Sequence, residues 1–341
     1  MSATTAFGTP QSAAAYLDSI GIGHILLAAL LIAFPFVAND FFIAQIGAYS
    51  LIFGMIALSL MLLAGYGGMV SLAQITVAGV AGYVIAIFGV NQTGVHGFGW
   101  PLWILVPFAV FVAACASALI GWISVRTAGI YTIMITLAIA TAFFYFTQQN
   151  YSLFNGHSGF SGLPSPRFWG IDWRAPAPFY ALCLASAAVC YIAVLYISRS
   201  TFGLALQATR DNQRRMRALG FHVIAHKVAA YFLAGLIAGL AGVLLVWFNG
   251  RISPGTVGVD VAIDVLVIAV VGGIRHPIGP FFGAVVFVLL KTFAIDLVGA
   301  ERFNTLIGAV FLAIVLVSPD GLLGLWQQIK PHLSQQALRP G

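Results

Sequence analysis

The sequence predicts an all-α protein embedded in a membrane, a polytopic bundle of about ten transmembrane helices, some broken or re-entrant, with both termini cytoplasmic. Three observations carry this. Of 341 residues, 61% are hydrophobic and only 7% are charged, against about 25% in a typical soluble domain. The apolar residues fall into runs near the ~20 residues that cross a hydrocarbon core. Six of the fifteen bases sit in one loop, at about 198–227, and cytoplasmic loops carry the Lys/Arg excess. Nine acids and fifteen bases cannot cover a water-facing surface of this size. A cytosolic enzyme, a disordered chain and a secreted disulfide scaffold are therefore excluded.

In chain order, a short polar tail (1–19) precedes spans at about 20–37, 41–64, 69–90, 101–124, 129–146, 178–197, 228–248, 259–272, 280–298 and 304–318. They form one transmembrane domain over 20–326, followed by a tail at 327–341. Residues 1–18 hold no Lys or Arg, so they lack the basic region of a cleaved signal peptide. Pro35 and the Asn39-Asp40 pair cut the first span; Gly67-Gly68, Ser71 and Gln74 open the third, and the eighth is short for a crossing. Such interruptions mark broken helices, tolerated where protein or a cavity receives the freed backbone groups. An eight-span arrangement with two re-entrant segments gives the same loop placement. Two connections are long. The first, at about 147–177, is rich in Gly, Ser, Pro and aromatics. The second reads as a helix from Phe202 to Leu219 closed by Gly220.

With the basic loop inside, ten bases are cytoplasmic and at most five are not. Gly235 and Gly239, with Ala238 and Gly242, let helices approach closely, within one bundle or across a dimer seam. Cys115, Cys183 and Cys190 all lie in apolar runs and read as small core residues.

Catalytic constellations are missing. The three lysines, Lys227, Lys291 and Lys330, follow His, Leu and Ile, so no G-x-x-x-x-G-K-[ST] loop binds ATP here. No catalytic residue and no metal site are assigned; His222 and His226 lack a carboxylate to complete one. Ionisable residues inside spans are few: Asp260, Asp264 and Lys291. Asp264 lines a pathway, pairs with Lys291 or caps a broken helix. The basic loop suits a lipid-headgroup patch or a helix that docks on a cytoplasmic partner; nucleic acid is not a partner.

Several segments resemble one family. Residues Ala208 to Gly220, reading A-T-R-D-N-Q-R-R-M-R-A-L-G, look like the cytoplasmic loop of the LivM-type permeases of branched-chain amino acid ABC importers. Ser71-Leu72-Ala73-Gln74 resembles the family's S-L-G-Q, and Gly129-Ile130-Tyr131 with Thr136-Leu137-Ala138 resembles its G-I-Y and T-L-A. Residues 155–164, Ile252-Ser253-Pro254, the stretch from Gly272 to Ala284, and Pro319-Asp320-Gly321-Leu322-Leu323-Gly324 extend the likeness in order. Length and the long outer loop favour the LivM type over the shorter LivH type.

The resemblance implies a multi-pass subunit of the bacterial inner membrane, not itself an enzyme. It would translocate branched-chain amino acids or related small polar solutes by ATP-driven alternating access. Partners would be a second, LivH-like permease subunit, two ABC ATPase subunits carrying ATP and Mg, a periplasmic or extracellular substrate-binding protein, and membrane lipid. No cofactor sits on this chain. By the resemblance, Ala208, Arg210, Asp211, Asn212, Arg215, Ala218 and Gly220 couple to the ATPase. The pathway candidates are Ser71, Gln74, Tyr131, Thr136, Thr141 and Asp264. Thr141 stands where the family often has an acid or amide, Asp264 where it has S-I-E, and Gln213 where it commonly has Glu. Arg275 and His276 replace small residues. These departures bear on the substrate, with urea, short amides and aromatic acids as alternatives. A self-sufficient secondary carrier or channel is the competing reading, and a membrane-embedded enzyme a third.

Overall fold

The computed structural model describes residues 22–93, 97–127, 129–168 and 171–298, with 308, 309, 312 and 321. Both expected tails, and most of the apolar run at 304–318, lie outside the described residues. The helices are α1 (Ile22–Val37), α2 (Phe42–Tyr66), α3 (Gln74–Phe88), α4 (Leu102–Ser124), α5 (Ile130–Gln149), α6 (Pro176–Arg199), α7 (Thr201–Asp211), α8 (Gln213–Ala218), α9 (Val223–Asn249), α10 (Val259–Gly272) and α11 (Gly279–Val298). Among the described residues, six helices are long and apolar enough to cross a membrane: α2, α4, α5, α6, α9, and α10 together with the 3-10 turn before it. Helix α3 and the Gly279–Phe293 part of α11 are apolar but shorter. The protein is thus an all-α polytopic bundle.

Helix α2 is the centre. It is apolar on every side, the pattern of a helix with no solvent-facing stripe, and nearly all of it is buried, from Ile52 and Met55 to Met61 and Leu63. Its two ends, Phe42–Ala48 and Leu62–Tyr66, are wound as π-helix. Helices α9, α10, α11 and α6 pack around it. Helix α9 is wedged between α3 and α4, and its small residues make that possible. A Cβ on Gly235 would stand 2.5 Å from the Ser117 Cβ, one on Gly239 would meet Ala113, and one on Gly242 would strike the Ala78 carbonyl. The small-residue stripe therefore seals one bundle. Ser117 adds a 2.6 Å hydrogen bond to the Tyr231 carbonyl across the same seam. Cys183 and Cys190 are buried in the same core.

The long connection after α5 folds back over the bundle. Strand β1 (Phe160–Ser161) pairs antiparallel with β4 (Arg251–Ile252), in the register Phe160↔Ile252. Strands β2 (Arg167–Phe168) and β3 (Ile171–Asp172) form a separate hairpin. Phe160 is fully buried, and the Tyr83 ring lies 5.0 Å from Phe154 and 6.4 Å from Phe160. The strands and Gln92 thus mark one face of the bundle. The ends of α2 and α7 and the α10–α11 turn mark the other, because Arg210 reaches the Gly65 carbonyl and Gly65 abuts the Ile274 carbonyl.

Three expectations need correction. The third span does not begin at 69: residues 67–73 are unwound and helix resumes at Gln74. The helix expected over 202–219 is two helices, broken at Asn212. The seventh span starts five residues early, at Val223, so Lys227 is a buried helical residue and not part of a loop.

Because the Ala78 carbonyl cannot retreat without breaking α3, even Gly242→Ala overpacks the α3–α9 seam. It should destabilise the protein by about 1–3 kcal/mol, read as a lowered midpoint of thermal unfolding in detergent.

Candidate translocation and coupling sites

The break between α2 and α3 gathers three of the sequence-selected polar residues. Ser71 and Gln74 are 1% exposed and Thr136 is fully buried. The unwound stretch leaves backbone groups without helical partners, and Thr136 takes one of them. Its Oγ1 accepts from the Leu72 N–H at 3.1 Å and donates to the Ile133 carbonyl at 3.0 Å. Ser59, on α2, lies 3.0 Å from Gln74 Oε1 and 2.6 Å from the Ile56 carbonyl. One hydroxyl proton serves one acceptor. With that proton on Ile56, the Ser59 oxygen can only accept, and the Gln74 amide nitrogen, otherwise without a partner, is the donor that suits it. A 180° amide rotation lets that nitrogen donate to the Ser59 oxygen. The Tyr231 hydroxyl is buried beside Ser71 and Ser124 and meets neither in hydrogen-bonding geometry.

The other three residues lie apart. Thr141 is on the same helix as Thr136 but turns its hydroxyl back to the Leu137 carbonyl at 2.9 Å. Tyr131 is 66% exposed near the start of α5. Asp264 pairs with Lys291 of α11 at 3.0 Å; their side chains are 21% and 35% exposed. The Lys291 ammonium also lies 5.6 Å from the centre of the Phe287 ring. A strand-face cavity of about 400 Å³ holds none of the six; Gln92, Arg174 and Arg251 help to line it. Sequence reasoning counted those arginines only for orientation and passed over Ser59, a lone hydroxyl in an apolar run.

At the opposite face α7 and α8 form an elbow. Ser200 caps α7, accepting from Gly203 N at 3.2 Å. Asn212, extended at φ −155°, caps α8 by accepting from Arg215 N at 3.0 Å. Asn is a strong N-cap residue, which is why the expected single helix breaks there. The elbow closes on Gly220 at φ +87°: the Gly220 N–H donates to Arg217 and the Phe221 N–H to Met216, at 3.0 and 3.1 Å. That paired closure favours glycine. Inside the bend, Ala205, Met216 and Val223 pack together with Ala208 against them. Outside it, Arg214, Arg215, Arg217 and Ala218 are exposed, as are Leu219, Phe221 and Ile224. Six of the seven expected coupling residues (all but Ala208) present themselves on this surface.

One side chain ties the elbow to the bundle. Arg210 donates to the Gly65 carbonyl at the π-wound end of α2 and pairs with Asp211 at 3.0 Å. Its aliphatic stem lies against Gly68, where a Cβ would come within 2.6 Å of it. His226 stacks on Phe202 at 5.0 Å and meets the edge of Phe221 at 5.8 Å.

Residues 42–315 match the family described as the permease component of the branched-chain amino acid transport system. The chain belongs to that family. It is similar to the high-affinity branched-chain amino acid permease LivM of Escherichia coli K12, at 22% identity over 88% of this chain and 74% of the relative. The LivM of Salmonella typhimurium LT2 is 23% identical over 87% and 73%. LivH of the same organism is 24% identical over 80% of this chain and 91% of its own. No solved structure matches. Membership makes the chain a multi-pass, non-catalytic transport subunit of the inner membrane, an ABC-importer permease for amino-acid-like substrates.

Two substitutions test the site. Thr136→Val keeps the volume and leaves the Leu72 N–H without an acceptor, which should cost about 1–3 kcal/mol. Thr136→Ser should recover most of it in the same thermal unfolding assay. Asp264→Leu strands the Lys291 ammonium and should cost roughly 1–3 kcal/mol, between the values for exposed and fully buried pairs. Asp264→Leu with Lys291→Met should be closer to wild type than Asp264→Leu alone.

Proposed function

We propose that this chain forms half of the translocation pathway of an ATP-driven importer of branched-chain amino acids or related small polar solutes. A second, LivH-like permease would form the other half. Ten spans, with the elbow and both termini in the cytoplasm, suit the charge distribution. The observation that carries the reading is the elbow. It is capped at both ends, clamped to α2 by Arg210, and exposes a polar and basic surface beside Leu219 and Phe221. A chain without a P-loop needs its energy from another subunit, and this surface has the form of a lever that an ATPase could push.

Movement of the elbow would pull on Gly65 through Arg210. Gly65 backs onto the Ile274 carbonyl, so the same pull reaches the α10–α11 turn. The unwound 67–73 segment runs from that clamp, where Gly68 meets Arg210, into the buried cluster, to which it contributes Ser71 and the Leu72 N–H taken by Thr136. Alternating access would then consist of α3 and α5 separating at the Leu72–Thr136 bond. Thr141 and Asp264 would shape the route beyond it, and Tyr131 would sit at its cytoplasmic end.

Asp211→Arg combined with Gly220→Trp should leave the protein in the membrane and abolish substrate-stimulated ATP hydrolysis by the assembled transporter, measured as phosphate release in nanodiscs. Normal stimulation in that variant would refute the docking role. Ion-driven uptake by the purified chain alone would favour the secondary-carrier reading.

A further inference from the structure

We propose that the Asp264–Lys291 pair is a recognition site for the opposed charges of a zwitterionic amino acid with an apolar side chain. This rests on the importer reading. It deepens that reading by naming the residues that hold the solute on its way through and the chemistry they select.

The pair lies within the spanning part of the bundle. Asp264 follows Val259, the first residue of α10, by five positions, roughly 8 Å in from the strand face at the helical rise. Lys291 reaches it from α11 and donates to Asp264 Oδ2 at 3.0 Å. Neither side chain is sealed, since 21% of Asp264 and 35% of Lys291 stay exposed. Charges at such a depth are costly against hydrocarbon and face protein or a water-filled route instead. The open edge of the pair therefore faces the second permease, or the route between the two, and not lipid.

Hydrogen bonding at the pair is incomplete. An ammonium has three donors, and a carboxylate accepts at both oxygens. Among the described residues, one bond joins the two side chains and neither makes another. The Tyr49 hydroxyl, within electrostatic reach of Asp264, makes none. Spare donors and spare acceptors thus stand side by side. A ligand that carries one ammonium and one carboxylate uses both kinds. Its ammonium would sit on Asp264 and its carboxylate on Lys291, giving four alternating charges and adding no net charge to the span. An amine or a carboxylate alone would add a net charge and leave one partner unused. Asp260, exposed one turn nearer the strand face, adds a negative charge that favours entry of the ammonium end.

The surroundings suit an aliphatic side chain. The Lys291 ammonium lies 5.6 Å from the centre of the Phe287 ring. The Tyr49 ring packs on Phe53 at 4.6 Å and on Phe248 at 5.4 Å. A charged head can meet the pair while an apolar tail rests on these rings.

The test uses the complete importer in nanodiscs without its binding protein, with leucine binding read by saturation-transfer-difference NMR. Asp264→Asn combined with Lys291→Gln should weaken leucine binding roughly tenfold or more. Lys291→Arg should retain most of it. In uptake driven by the loaded binding protein, the double variant should lower kcat and leave KM unchanged. Thermal unfolding of each assembly separates lost recognition from lost folding. The wild type supplies a second test that needs no variant. Neither 3-methylbutylamine, which lacks the carboxylate, nor 4-methyl-2-oxopentanoate, which lacks the ammonium, should displace leucine as well as isoleucine does. Equal displacement by either compound overturns the proposal. So does unchanged leucine binding and kcat in a folded double variant, or the absence of leucine binding to the wild type. Absence of ATP-dependent uptake of any solute by the wild-type assembly with its binding protein would overturn the importer reading itself, a separate result.

Discussion

A bilayer core holds no water to hydrate a backbone group released from a helix, and each unsatisfied group there costs several kcal/mol. This chain unwinds at 67–73 among buried residues such as Ser71, Leu72 and Ala73, so the groups released there need partners from inside the bundle. Thr136 supplies an acceptor to Leu72, and Arg210 supplies a donor to Gly65. Most of what distinguishes this bundle from a simple packet of helices follows from where those partners are. The unwound stretch is buried and sealed by the Thr136 hydroxyl. The α10–α11 turn lies against the end of α2, where a guanidinium from the elbow takes the Gly65 carbonyl.

That arrangement links mechanics to chemistry. A helix that is continuous transmits force along its axis, whereas an unwound segment held by single hydrogen bonds can reorganise at modest cost. The elbow, the end of α2 and the α10–α11 turn share one small region, joined through Gly65. The tight seams lie elsewhere: α9 is pressed against α3 and α4 through glycine contacts that leave no slack. Helix α5 is mostly exposed in this chain and touches α3 and α10 lightly. The fold therefore has a rigid half around α9 and a looser half around α5, with the polar cluster at the border between them.

The helical runs were legible because membrane burial imposes length and composition on them directly. The elbow was legible as a segment, and its break at Asn212 was not, because an Asn inside a helix and an Asn capping one carry the same letter. Capping won once Met216 had to reach the Ala205 and Val223 contact. Ser71 and Gln74 were selected from one motif and Thr136 from another, and they do come together; Thr141, Tyr131 and Asp264 were selected with them and do not. Polarity in an apolar run marks a residue as costly, and it does not say which neighbour repays the cost.

By itself the sequence determined that this is a membrane bundle, roughly where its long apolar helices fall, that it carries no P-loop, and which segment forms the basic elbow. These follow from composition and local pattern, which hydrocarbon thickness and backbone hydrogen bonding constrain residue by residue. Tertiary structure alone decided that the glycine stripe seals α9 within one bundle, that Asp264 belongs to Lys291, that Arg210 clamps α2, and that Arg174 and Arg251 face one cavity. Each of these joins positions far apart in the chain. Such contacts depend on how helices cross and where their backbones approach, and no local pattern in the sequence records that.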